Sequence, residues 1–163
     1  MRPDKDHYYL DIARSVSERS TCLRRRFGAI IVVDDSIVST GYNGPARGVV
    51  NCEEVGCIKN LLDLPPYENY DLCPAVHAEE NAIINAARNG VKVLGGDVYI
   101  YGEKYNGDPS PSHPCNRCKR VLINSGIEKV ITMNEEKELV IYKVEDWIDE
   151  DTKRYLKVLE DSE

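Results

Sequence analysis

The sequence predicts a single α/β domain in three layers, a mixed five-stranded sheet covered by helices. Three observations lead there. Segments with helical periodicity alternate with short β-branched runs. The run Phe27 to Val33 carries no polar side chain, as a strand buried on both faces requires. The connection at Asn134 to Lys137 between the last two runs is short enough for a hairpin, which makes the fifth strand antiparallel to the fourth. At 163 residues the chain is long enough for one domain with its own core, since domains commonly reach roughly 100–150 residues.

Tyr9, Ile12, Ala13 and Val16 share one helical face, so residues 4–18 read as an amphipathic helix. Asp34-Asp35-Ser36 turns the first strand into a second over Ile37 to Thr40, which ends at Gly41-Tyr42-Asn43-Gly44. Pro45 to Pro74 lacks periodicity and holds three cysteines, so it reads as an irregular insertion with a job of its own. A helix follows over Ala75 to Asn89, closed by Gly90. Asp97 to Tyr101 reads as the third strand, Cys115 to Ser125 as a helix closed by Gly126, and Lys129 to Met133 as the fourth strand. Leu139 to Val144 is the fifth strand, with a short terminal helix after it.

Composition narrows the function. The longest strongly apolar run, Ala29 to Val33, falls far short of the roughly 20 residues a membrane span needs. The charged start, Met1 to Asp6, has no apolar segment after it, so a cytoplasmic protein is expected. A net charge of −7 argues against a long nucleic acid as partner, because a phosphate backbone calls for a basic surface. Arg24-Arg25-Arg26 is the local exception, a solvated charge run or a seat for one phosphate. Six cysteines in such a chain point to metal binding or core packing before disulfides.

The chemistry concentrates in His77-Ala78-Glu79 and Pro114-Cys115-Asn116-Arg117-Cys118. A catalytic zinc takes three protein ligands and leaves one position for water; His77, Cys115 and Cys118 supply that set. Cys115 and Cys118, three apart at a helix start, share one side of its first turn, where the helix dipole favours thiolates. Residues two apart diverge on a regular helix, so Glu79 is expected beside the metal as an acid/base group, with His77 at an irregular helix start. H-x-E combined with P-C-x-x-C is the pattern of zinc nucleobase deaminases, and the combination is far more specific than either half.

With these motifs the chain resembles the deoxycytidylate deaminase family. The matching stretches are Arg19 to Arg24, Phe27 to Val32, Ser39 to Gly44, His77 to Ile83, and Pro114 to Cys118. The resemblance, over residues 5–133, implies a cytidine-deaminase-like fold and a zinc-dependent conversion of dCMP to dUMP and ammonia, with Glu79 shuttling protons. It implies that Asn43 bonds the sugar while Tyr42, Gly44 and Ala78 shape the same wall; from the basic cluster Arg24 is the choice for the 5′-phosphate. It also implies a homo-oligomer, a dimer or hexamer, with dCTP and dTTP as effectors. The sequence departs from the family at Pro45-Ala46-Arg47-Gly48, where the proline is one place early, and at the hairpin 134–137, which leaves no room for a further helix.

Cys22, Cys52, Cys57 and Cys73 remain, the number for a closed structural zinc, and some relatives carry a second metal near the corresponding segments. Packing as small core residues is the competing reading, since their spacing fits no zinc finger. His7 and His113 read as surface or loop residues, although His113 adjoins Pro114. The rival functions are deamination of another base (tRNA adenosine, a riboflavin-pathway pyrimidine, cytidine) and an idle zinc protein that binds nucleotides.

Overall fold

The Asp4 carboxylate accepts from the His7 amide at 2.9 Å and caps the first helix, α1 (Lys5–Ser17). In the computed structural model, which describes all 163 residues, two long strands follow, β1 (Arg25–Val33) and β2 (Ser36–Tyr42). The turn between them is made by Asp34 and Asp35 at φ 48° and 59°, the left-handed region that Asp tolerates. β3 (Gly44–Pro45) leads into the insertion, whose only regular pieces are the single-turn helices α2 (Cys52–Val55) and α3 (Ile58–Leu61). The chain then forms β4 (Ala75–Val76), α4 (Ala78–Arg88), β5 (Asp97–Lys104) and α5 (Asn116–Asn124). It ends with β6 (Lys129–Met133), β7 (Leu139–Lys143) and α6 (Val144–Glu160).

The five long strands lie in the order β2-β1-β5-β6-β7, with β5 and β6 parallel and the other pairs antiparallel. The expected mixed sheet and its final hairpin are both there. Alternation along β1 explains why its run is apolar throughout: Ile30 and Val32 face α1, with Tyr99 and Ile131, while Ala29 and Ile31 face the opposite layer, with Ala78, Ala82, Leu122 and Trp147. Two glycines set how closely the helices approach. A Cβ on Gly28 would lie 2.1 Å from the Ala13 carbonyl oxygen of α1, and one on Gly41 would lie 2.3 Å from the Ala82 nitrogen of α4. Both helices therefore rest backbone to backbone on the sheet, and α4 is pinned where it begins.

Two expectations are corrected. The helix predicted from Ala75 begins at Ala78, because Ala75 and Val76 pair with Pro45 and Gly44 instead. The terminal helix is not short. Its 17 residues start on buried Val144 and Trp147, run without a Gly or Pro, and carry an Arg154–Asp151 ion pair. No helix of the chain is long and apolar enough to cross a membrane.

Candidate active site

The β3–β4 pairing delivers His77 in extended backbone, φ −74° and ψ 156°, as the N-cap of α4. Its imidazole can therefore leave the helix axis while Glu79, inside the first turn, projects separately; this is the irregular start that the spacing called for. Cys115 caps α5 in the same manner, φ −68° and ψ 167°, and its sulfur accepts from the Cys118 amide at 3.5 Å. Two helix N-termini thus converge, each with its positive end toward the site.

His77 Nδ1 lies 3.5 Å from Cys115 Sγ and 3.3 Å from Cys118 Sγ, and the three ligand atoms all fall within 4.8 Å of one another. A tetrahedral ion bound at about 2.3 Å to sulfur and about 2.0–2.1 Å to nitrogen separates such ligand atoms by about 3.5 Å. The donor set and its spacing fit zinc with one position left over. Cys115 is pushed down to about 3, first by the hydrogen bond from Cys118 and then by His77, whereas Cys118 is held up by the same sharing and by burial.

Glu79 is 7% exposed and makes no ion pair or hydrogen bond with another side chain. Burial raises its carboxyl to about 7, so it stands ready both to take and to give a proton near neutrality. Its neighbour Glu80 does a different task. Glu80 Oε2 accepts from the His77 amide at 3.0 Å and from Arg117 Nη2 at 3.1 Å, and Arg117 Nε stands 2.7 Å from Oε1. One carboxylate ties the histidine-bearing turn to the cysteine-bearing turn, an arrangement that orients ligands. Tyr70 completes the wall: its ring meets His77 edge-on at 5.3 Å, and the Arg117 guanidinium lies 4.7 Å from its centroid.

A family profile described as the cytidine and deoxycytidylate deaminase zinc-binding region matches residues 3–134, which includes every group just described. The chain belongs to this family. It is 34% identical over 139 residues to a deoxycytidylate deaminase of Mycobacterium phage D29, covering 82% of this chain and 98% of the relative. To the deoxycytidylate deaminase of Schizosaccharomyces pombe it is 33% identical over 130 residues, but the match spans 80% of this chain and only 37% of that protein. The crystal structure of a dCMP deaminase from cyanophage S-TIM5, in complex with dCMP and dUMP, superposes with a TM-score of 0.60 at 26% identity, covering 82% of this chain and 84% of the other. The resemblance in sequence and the cytidine-deaminase-like fold both hold. Residues 135–163 lie outside the family match.

The other residues singled out in the sequence have mixed placements. Arg24, Asn43, Gly44 and Ala78 line one cavity with His77, Glu79 and Cys115. Tyr42 is not among its lining residues; its carbonyl accepts from Asn81 Nδ2 at 2.8 Å and its side chain is exposed. Asn43 is buried and commits its amide to β1: Oδ1 accepts from the Phe27 amide at 2.8 Å and Nδ2 donates to the Arg25 carbonyl at 2.9 Å. Arg24 donates to the Leu64 carbonyl at 3.3 Å. Cys22, Cys52, Cys57 and Cys73 line the same cavity, although His77, Cys115 and Cys118 alone form a cluster at ligand spacing. Burial raises the Cys52 thiol, and the three other cysteines add to the effect. His113, read as a loop residue, is in the wall beside Tyr67 at 6.1 Å, and His7 is exposed against Asp4.

Sequence reasoning missed Tyr70, Glu80 and Arg117. Glu80 had a signal, since an acid three residues after the cap is the capping-box position. Arg117 sits inside the C-x-x-C spacing, and only the fold gives it a partner. Tyr70 is in the aperiodic insertion and had no signal.

Proposed function

We propose that the protein deaminates a cytosine nucleotide hydrolytically, with dCMP the substrate and dUMP and ammonia the products. The observation that carries this reading is Glu79, a buried, unpaired carboxylate raised to about 7 beside the His77–Cys115–Cys118 triad. The ligand in the cyanophage relative and the names of the yeast and phage relatives supply the substrate.

Zinc on the triad supplies Lewis-acid activation of water. Glu79 takes the first proton from the attacking water and delivers it to N3 of the base as oxygen adds to C4. It then takes the second proton from the new C4 hydroxyl and passes it to the amino group, which leaves as ammonia while the carbonyl forms. The Glu80–Arg117 pair holds the two ligand-bearing turns in register through both transfers. Asn43, through the hydrogen-bonding capacity left after its β1 contacts, meets the sugar, with Gly44 and Ala78 beside it and Arg24 near the phosphate; Tyr42 acts on this wall only through its strand.

The reading extends to a cytoplasmic homo-oligomer responsive to dCTP and dTTP. The exposed stripe Ile148, Tyr155, Leu156 and Leu159 along α6 supports the oligomer. It extends also to a second, structural zinc on Cys22, Cys52, Cys57 and Cys73, supported by the four thiols lining one cavity, three of them from a segment with little core. An ultraviolet assay across dCMP, CMP, deoxycytidine and dCTP tests the function. Preferred turnover of dCMP is expected, and no loss of the amino group from any of the four would defeat the reading in favour of another base or an idle site.

A further inference from the structure

Lys59 is a cation without a counter-charge whose ammonium opens on the active-site cavity. It is 9% exposed, on the single-turn helix α3 of the insertion, and lines the active-site cavity. No carboxylate lies within ion-pair distance and its ammonium makes no hydrogen bond; the one group offered to it is the face of Tyr70, 5.4 Å from ammonium to centroid. A cation that faces a cavity without a counter-charge gives that wall a positive potential, which favours a negative group inside it. Such a group in a cavity wall signals an anion that is brought by a ligand.

The rest of the wall agrees. Arg24 and Arg25 also line the cavity, and neither pairs with a carboxylate: Arg24 donates to a carbonyl and Arg25 to the Tyr67 hydroxyl at 3.4 Å. Arg26, next in the chain, turns away toward Glu53 at 3.9 Å. In a protein with 28 acidic and 21 basic residues, the lining holds three such cations and a single acid, Glu79. The positions also suit a nucleotide. The Lys59 ammonium and the ring of His77 lie 5.4 and 5.3 Å from the Tyr70 ring centre, so the cation and the metal triad share one aromatic neighbour.

We propose that Lys59 is the specificity residue that recognises the substrate's 5′-phosphate, and that the insertion carrying it makes the protein select nucleotides over nucleosides. The assignment rests on the reading of the site as a cytosine deaminase. The Tyr70 face shelters the ammonium while the cavity is open, and phosphate oxygens replace that contact with charge-assisted hydrogen bonds when substrate enters. Arg25, beside Tyr67 in the same cavity wall, adds positive charge.

The test compares kcat/KM for dCMP and for deoxycytidine in wild type, Lys59→Met and Lys59→Arg, each checked for zinc content. Lys59→Met is expected to lose on the order of 100-fold on dCMP, mostly through KM, and to change deoxycytidine turnover less than about twofold. Lys59→Arg keeps most of the preference. Equal losses on both substrates, or no loss on dCMP, would overturn the assignment. If the wild type turns over neither substrate, the functional reading fails, and Lys59 is judged by calorimetric binding of dUMP against deoxyuridine. A preference for dUMP that Lys59→Met abolishes supports it; no preference, or one that survives, overturns it.

Discussion

The metal-bearing turns and the 45–74 insertion border one cavity but are built by opposite means. His77 and Cys115 cap helices pressed on the sheet, and Gly41 holds α4 so close that a single added carbon would meet its backbone. The insertion has two single-turn helices, three non-glycine residues at positive φ (Asp63, Tyr67 and Asn69), and a run of exposed apolar side chains that includes Leu61, Leu62 and Leu72. On the proposed reading, atoms that must keep a fixed geometry sit on rigid elements, while the group assigned to the substrate's phosphate sits on a segment with little regular structure.

That division has measurable consequences, largest at the rigid side. Cys118→Ala, or treatment of the wild type with a strong zinc chelator, should abolish both bound zinc and turnover, as read by metal analysis beside an activity assay; full activity without metal would dissolve the distinction. Glu79→Gln should retain zinc yet lose about 10³-fold or more in kcat, because the proton shuttle is gone and the ligands are intact. Arg117→Ala frees Glu80 and should weaken zinc retention about 10- to 100-fold in a chelator competition, with a smaller effect on kcat. The mildest effect is expected in the insertion: Cys52→Ser should leave kcat on dCMP within about threefold while zinc per chain falls from two to one. One zinc per wild-type chain would leave the four cysteines as packing residues only.

Much of this was legible in the chain. The alternation of β-branched and helical runs located every long element, and β1 revealed its place in the sheet because no polar residue interrupts it. The metal triad and Glu79 were legible because coordination demands particular side chains at particular spacings. Asn43 was half legible: its motif marks the end of β2, but its amide is taken up by Phe27 and Arg25 on β1, a contact made across the strand pair. Ala75 misled, since its helical propensity yields to pairing with Pro45. The terminal helix outran its expected length because a few exposed good helix formers suffice once Trp147 anchors the first turns.

Local pattern therefore determined the fold class, the order of the elements and the ligands of the metal, because periodicity and ligand chemistry are properties of neighbouring residues. Tertiary structure alone decided that Glu80 and Arg117 join the two ligand turns, that Tyr70 covers His77, and that Lys59 faces the cavity without a counter-charge. Those contacts join residues that no periodic pattern links, and an aperiodic segment leaves no trace of which side chain it will enclose until the sheet and helices set the walls.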